Sequence, residues 1–205
     1  MHNAARRNRP LASGAVALAC LAVAFAPESM KAWLALGRDA VLSGEIWRLW
    51  TGHLVHYSAR HALSDTAVLI LIGSLAEREF GTRWMCNALF RGGLFISLGL
   101  ILGVPNLLEY RGASGLSLLL ALATGTFLWG TRPSLRRALA VPGGVLLLKT
   151  ALEACGIGLD LSGLPEDVAV AWQAHVLGAV GGAMLGTWAL RPATSRSRIY
   201  LERQG

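Results

Sequence analysis

Six long apolar stretches dominate the chain, each bounded by charged or turn-forming residues. They cover residues 11–26, 62–76, 85–104, 113–130, 138–158 and 168–190. A run of about 20 apolar residues is long enough to cross the hydrocarbon core of a bilayer as a helix. Several of these stretches are shorter, which tilting or local thinning of the bilayer would accommodate. The pattern predicts an all-α membrane protein with six transmembrane helices.

The composition agrees with this pattern. The chain has 205 residues, of which 54% are hydrophobic and 15% are charged, and its mean hydropathy is +0.49. Soluble domains carry about 25% charged residues. No repeat, low-complexity tract or linker divides the chain, so we expect one domain over residues 1–205: a tail at 1–10, a helical bundle at 11–190 and a tail at 191–205.

The distribution of basic residues predicts the orientation. Twelve lie in alternate connections or tails, against five in the others. The larger group is Arg6, Arg7, Arg9, Arg78, Arg83, Arg132, Arg136, Arg137, Arg191, Arg196, Arg198 and Arg203; the smaller group is Lys31, Arg38, Arg48, Arg60 and Arg111. The positive-inside rule then places both termini in the cytoplasm. The net charge of +7 is explained by topology and contact with anionic lipid. No basic loop carries interleaved aromatic residues, so nucleic acid is not an expected partner.

The first apolar stretch has a second interpretation. Residues 1–10 are basic, and Ala24-Phe25-Ala26 has the small residues of a signal-peptide cleavage site. Pro27 follows directly, where a proline is poorly tolerated, and removing this stretch would leave five spans and export the C-terminal arginines. We therefore expect residues 11–26 to remain as the first helix.

The connection at residues 27–61 is apolar and rich in tryptophan, which is typical of segments at the membrane interface. Within it, Glu45 precedes Arg48 by three residues and could pair with it. The alternative is a solvated arginine whose aliphatic stem packs on apolar neighbours.

Histidines cluster at the entrance to the second long helix. His53, His56 and His61 lead to Asp65, and His61 and Asp65 lie one turn apart on the same helical face. Histidine with carboxylate could bind zinc or iron. However, no HExxH pattern is present, and Cys20, Cys86 and Cys155 lack zinc-ligand spacing. We predict no metal, no organic cofactor and no disulfide.

Five motifs in order along the chain resemble the rhomboid intramembrane serine protease superfamily. They cover roughly residues 45–190 and are Glu45-Ile46-Trp47-Arg48, His56 through His61 to Asp65, Glu77-Arg78-Glu79-Phe80-Gly81, Gly112-Ala113-Ser114-Gly115, and Ala174-His175 with Gly178 and Gly182. The resemblance implies a six-helix bundle with an embedded first outer loop. It also implies a serine endopeptidase of the bacterial inner membrane, with Ser114 as nucleophile and His175 as general base, acting on a transmembrane protein substrate.

Two positions depart from the common rhomboid pattern. Asp65 stands where typical rhomboids have asparagine, and Leu118 stands where many have a tyrosine that packs on the catalytic histidine. The aspartate and the six-helix length are most similar to the rhombosortase subgroup. That subgroup is proposed to process proteins with a C-terminal tail of Gly-Gly, a transmembrane helix and a basic end.

The spacing of the residues permits the implied chemistry. Ser114 falls in the first turn of the fourth long helix, where free N–H groups and the helix dipole favour an oxyanion. His175 lies in the sixth, where Gly178 and Gly182 allow close approach of the two helices. The resemblance implies a Ser/His dyad, and no aspartate that could orient His175 is evident in the sequence. A helix-capping serine and a buried structural histidine are the alternatives.

The resemblance assigns His61 to support of the oxyanion, beside the Gly112 turn and the Ser114 N–H group. Asp65 could be neutral and donate a hydrogen bond, or it could be ionised and orient the His61 ring. We favour the second hypothesis because the two residues are one turn apart.

Lys149 and Glu153 are charges four residues apart within the fifth predicted helix. The resemblance places this helix beside the substrate gate, where the pair could lock the gate or meet a substrate; a static structural pair is the alternative. Two other functions compete with the protease. One is a non-catalytic rhomboid-like binder of membrane helices, and the other is a small transporter that uses the histidines and this pair.

Overall fold

The computed structural model describes residues 10–157, 164 and 171–191, and a helix occupies each predicted apolar stretch. The helices are α1 Leu11–Ala24, α2 Glu28–Leu34, α3 Arg38–Leu42, α4 Arg48–Thr51, α5 Ala59–Phe80, α6 Thr82–Gly103, α7 Ser114–Thr131, α8 Arg136–Ala154 and α9 Trp172–Ala189. The start of the last predicted stretch, residues 168–170, and most of both tails lie outside the described residues.

Three of the described helices, α5, α6 and α7, are long and apolar enough to cross a membrane, and α1 is a shorter apolar helix. The other two long helices, α8 and α9, are less hydrophobic, and their sequences explain why. Helix α8 contains two arginines and the Lys149–Glu153 pair, and α9 is rich in glycine. The count of six spans and the cytoplasmic position of both termini therefore remain predictions.

The centre of the bundle is the contact between α7 and α9. Gly178, Gly182 and Gly186 follow one another along one face of α9, and each faces a backbone carbonyl of α7. A Cβ atom on Gly178 would lie 2.2 Å from the carbonyl oxygen of Gly115, and one on Gly182 would lie 2.2 Å from that of Leu119. The predicted close approach is confirmed, because only glycine leaves room for backbone-to-backbone packing here.

The connection between α1 and α5 is organised around Arg48. Its Nε donates to Glu45 Oε2 at 2.5 Å, and its Nη1 donates to the carbonyl oxygens of Ala32 and Ala35, each at 2.6 Å. The predicted pair with Glu45 is thus present. The alternative of a solvated arginine is wrong, because only 11% of the side chain is exposed.

The carboxylate of Glu77, in α5, caps the N-terminus of α1. This carboxylate is fully buried and accepts from the N–H groups of Ala12 and Ser13, each at 3.0 Å, and from the Ser13 hydroxyl at 2.8 Å. The first N–H groups of a helix have no intrahelical acceptor, so Glu77 supplies one and adds a negative charge at the positive end of α1. Because α1 also packs along α5, it is part of the folded bundle, as a retained first helix requires.

We expect Glu77→Ala to destabilise the protein strongly. The substitution leaves three buried donors of α1 without an acceptor, at about 1–3 kcal/mol each. The change should appear as a lower thermal denaturation temperature in detergent micelles and faster proteolysis of the N-terminal segment. Glu79→Ala is the matched control, since it removes only an exposed ion pair with Arg132 worth about 0–1 kcal/mol. Equal stability of the two variants would contradict the capping role.

Candidate active site

Ser114 is the first residue of α7 and is positioned by the turn before it. Tyr110 exchanges two backbone hydrogen bonds with Leu36 in the connection after α1, at 2.8 and 3.1 Å. The Gly112 N–H group donates to the carbonyl of Gly52 at 3.2 Å, and the Tyr110 hydroxyl donates to the Gly112 carbonyl at 2.8 Å. The turn is therefore held to the connection between α1 and α5 by backbone hydrogen bonds at Tyr110 and at Gly112.

Gly112 is required in this turn for two reasons. Its φ angle is +145°, which side-chain-bearing residues rarely adopt. A Cβ atom here would also lie 3.3 Å from Asp65 Oδ2 and 3.4 Å from the His61 ring. The glycine thus brings two side chains of α5 against the backbone that leads into Ser114.

Helix α9 places His175 beside Ser114. The distance from His175 Nε2 to Ser114 Oγ is 2.9 Å, so the hydroxyl can donate to the ring nitrogen. His175 is buried, whereas Ser114 is half-buried and can be approached. This geometry suits proton transfer from a serine nucleophile to a histidine base.

The other ring nitrogen of His175 contacts a group that the sequence does not predict there. Glu153, in the last turn of α8, places Oε2 2.7 Å from His175 Nδ1. Its second oxygen, Oε1, accepts from Lys149, so the predicted ion pair is present. The sequence showed no aspartate placed beside His175, and the structure places a glutamate there. The sequence feature that could have indicated this contact is the pair of charges within an otherwise apolar helix. A role for the Lys149–Glu153 pair in substrate gating remains a prediction.

Asp65 lies against the turn before Ser114, beside two histidine rings. Its Oδ2 accepts from the Ala113 N–H group at 2.9 Å and lies 3.4 Å from Nε2 of both His56 and His61. The predicted contact with His61 is therefore present but long. The hydrogen bond to the backbone before Ser114 and the contact with His56 are additional.

His61 is held by its own end of α5 and by the loop before it. Its N–H group donates to the Ser58 hydroxyl at 3.0 Å, and its ring stacks on Tyr57, with ring centres 6.0 Å apart. The Arg111 guanidinium also lies over the Tyr57 ring, 5.2 Å from its centre. Burial raises the pKa of Tyr57 to about 12, so this ring stays a neutral phenol. The stack limits the movement of His61 near the Gly112 turn.

Three further features of the described residues concern Leu118, metal-ligand groupings and the cysteines. Leu118 is buried within α7, one turn after Ser114. Within the part of the chain that the structure describes, no three histidine, cysteine, aspartate or glutamate side chains are grouped as metal ligands. The three cysteines are unpaired.

The first turn of α7 is the natural place for a developing negative charge. The N–H groups of a first helical turn lack intrahelical acceptors and point along the helix axis. The Ala113 N–H group donates to Asp65 and the Ser117 N–H group donates to the Ala113 carbonyl, so the Ser114 N–H group between them is the candidate donor. The nucleophile, the base and the backbone donor thus lie together at the N-terminus of α7.

Comparison with known proteins adds one match. The family model for the rhomboid domain matches residues 43–192, a range that includes His61, Asp65, Ser114, Glu153 and His175. A search of curated proteins returned no match.

Proposed function

The chain belongs to the rhomboid family, and from this membership and the site geometry we propose that it is an intramembrane serine endopeptidase with Ser114 as nucleophile and His175 as general base. The family consists typically of intramembrane serine proteases, and the chain is a multi-pass membrane protein. The observation that carries the proposal is the 2.9 Å contact between His175 Nε2 and Ser114 Oγ at the start of α7.

The reaction would begin with the Ser114 proton. His175 Nε2 accepts it while Oγ attacks the carbonyl carbon of the substrate peptide, and the first-turn N–H groups of α7 stabilise the oxyanion. The same proton then passes from Nε2 to the leaving amine as the C–N bond breaks, which leaves an acyl-Ser114 enzyme. Water completes the cycle, with His175 again acting as base.

The proposed substrate is a membrane-anchored protein cleaved near the outer face of the bilayer. A helical peptide has its carbonyl groups engaged in hydrogen bonds, so the segment at Ser114 must unwind before attack, and glycines favour unwinding. A tail of Gly-Gly, a transmembrane helix and a basic end meets this requirement. Together with Asp65, this supports assignment to the rhombosortase subgroup.

The proposed location is the bacterial inner membrane, with six spans and both termini in the cytoplasm. The support is the distribution of basic residues, which concentrates them in alternate connections. In this orientation the start of α7 faces outward, because the basic connection at Arg132, Arg136 and Arg137 follows its other end.

Labelling with a serine-directed fluorophosphonate tests the proposal. We expect the wild-type protein, folded in lipid, to be modified at Ser114, and we expect Ser114→Ala and His175→Ala to lose the modification. Ser117→Ala is the matched control, since this buried hydroxyl lies one turn further along α7 and has no hydrogen-bond partner among the described residues. The control should label at the wild-type rate.

The outcome distinguishes the competing functions. A folded wild-type protein that is not labelled would overturn the protease proposal and favour a non-catalytic binder of membrane helices or a transporter. Modification of Ser117 in place of Ser114 would overturn the assignment of the nucleophile.

A further inference from the structure

Glu153 is the one residue of α8 whose side chain is buried, and all of α8 is described. Its exposed fraction is 7%, whereas large apolar side chains of the same helix, such as Val141 and Leu147, are more than half exposed. A carboxylate buried in an apolar bundle is costly unless it has partners. Glu153 has two: His175 Nδ1 on Oε2 and Lys149 on Oε1.

The two contacts of His175 determine which of its ring nitrogens carries the hydrogen before the reaction. An ionised carboxylate has no hydrogen to give, so the hydrogen between Glu153 and His175 belongs to Nδ1. A neutral imidazole protonated at Nδ1 has a bare Nε2, and a bare Nε2 can accept the Ser114 proton. The opposite tautomer carries its hydrogen on Nε2 and cannot act as the base.

The charge of Glu153 also matters after the proton has moved. When Nε2 accepts the Ser114 proton, the ring becomes a buried cation, and the adjacent carboxylate offsets the cost of that charge. Glu153 takes up no proton in the process. The hydrogen stays on Nδ1 throughout, and the proton that moves travels from Ser114 Oγ to Nε2 and on to the leaving amine.

We propose that Glu153 is a positioning residue that completes a Ser114–His175–Glu153 triad, and that Lys149 holds the second carboxylate oxygen in place. This inference rests on the proposed protease function and extends it beyond a Ser/His dyad. The third member is supplied by a helix other than those that carry the nucleophile and the base. The ion pair in α8 thereby gains a role in orienting the base.

The first measurement is the rate of fluorophosphonate labelling of the full chain in lipid. We expect Glu153→Gln to slow labelling by at least about 100-fold, since loss of the orienting carboxylate reduces serine hydrolase rates by up to about 10⁴-fold. Glu153→Asp should recover part of the rate, because it restores the charge on a shorter side chain. Lys149→Met should cause a smaller loss than Glu153→Gln. Glu79→Gln, an exposed carboxylate paired with Arg132, is the control and should label normally.

The second measurement reads the His175 tautomer directly. Nitrogen-15 spectra of histidine-labelled protein distinguish the two ring nitrogens, and subtracting the His175→Gln spectrum identifies this residue among the five histidines. We expect wild-type His175 to be protonated at Nδ1. Glu153→Gln should shift the population towards the tautomer protonated at Nε2, which a purely structural role would leave unchanged.

The results separate this inference from the proposed function. Wild-type labelling with an unaffected Glu153→Gln variant would overturn the triad and leave the protease proposal intact. Slow labelling with an unchanged His175 tautomer and a lower denaturation temperature would also overturn it, because Glu153 would then act only through stability. Absence of wild-type labelling would overturn the protease, while the tautomer would still show whether Glu153 orients His175. If Glu153→Gln does not fold, the wild-type spectrum decides, because His175 protonated at Nε2 in the wild type would overturn the triad.

Discussion

Gly178→Ala is expected to remove activity and to destabilise the bundle, although it adds a single methyl group. The new Cβ atom would lie 2.2 Å from the carbonyl oxygen of Gly115, and heavy atoms do not approach so closely. Since the obstacle is backbone, α9 must move away from α7. His175 lies on α9 within one turn of Gly178, so the same movement breaks its contact with Ser114.

The size of the effect follows from the geometry. Overpacking of this kind costs about 1–3 kcal/mol, and a misplacement of about 1 Å between reacting groups reduces rates by about 100-fold. We expect fluorophosphonate labelling to fall at least that far and the thermal denaturation temperature in detergent to decrease.

Gly125→Ala is the matched control for this substitution. Gly125 lies in α7, and a Cβ atom there would have no neighbour within 4 Å in the part of the chain that the structure describes. Alanine in a helix interior is about 0.5–1 kcal/mol more favourable than glycine, so this variant should be as stable as the wild type or more stable. If both variants keep wild-type labelling and stability, the close α7–α9 contact does not hold the site together.

The helices were predictable from the sequence because their signal is local. An apolar run surrounded by charges forms a helix wherever it lies, and each predicted stretch contains one. The ends were less predictable. Helix α5 extends beyond residues 62–76 in both directions, because Ser58 caps its start and Gly81, with a φ angle of +86°, ends it.

The short helices of the first connection, by contrast, depend on contacts that a linear pattern does not encode. The Arg48 side chain donates to carbonyl groups more than ten residues away in the sequence. Leu36, which follows α2, forms backbone hydrogen bonds with Tyr110, which lies just before α7. A composition rich in tryptophan predicts that such a segment lies at an interface. It does not predict which backbone groups meet.

The candidate site also has a part that was predictable from the sequence and a part that was not. The positions of Ser114 and His175 followed from motifs and from glycine spacing, which are visible in the sequence. The contact between Glu153 and His175 depends on how α8 is rotated about its own axis. Because α8 is almost uniformly apolar apart from its charges, its sequence predicts the pair with Lys149 one turn away but not the neighbour on α9.

Asp65→Ala is expected to reduce activity by about 100-fold, through displacement of the backbone before Ser114. The wild-type carboxylate accepts from the Ala113 N–H group at 2.9 Å and contacts His56 and His61. Alanine leaves the buried N–H group without an acceptor, which costs about 1–3 kcal/mol of stability. It also frees both rings, one of which the family resemblance assigns to oxyanion support.

Asp65→Asn is expected to keep most of the activity and stability. The amide oxygen can accept from Ala113, and the amide nitrogen can donate to one of the two histidines. The difference between the variants therefore separates hydrogen bonding from charge. An Asp65→Asn variant as impaired as Asp65→Ala would show that the ionised carboxylate is required for orienting His61.

Labelling rates and denaturation temperatures of the two variants provide the measurement, with Asp39→Ala as control. Asp39 is an exposed aspartate in the first turn of α3, and its loss should change stability by no more than about 0.5 kcal/mol. Wild-type labelling by both Asp65 variants would remove Asp65 from the mechanism. The hydrogen bonds of Gly112 and Tyr110, which join this turn to the connection between α1 and α5, would then be the stronger candidates for holding the start of α7 in place.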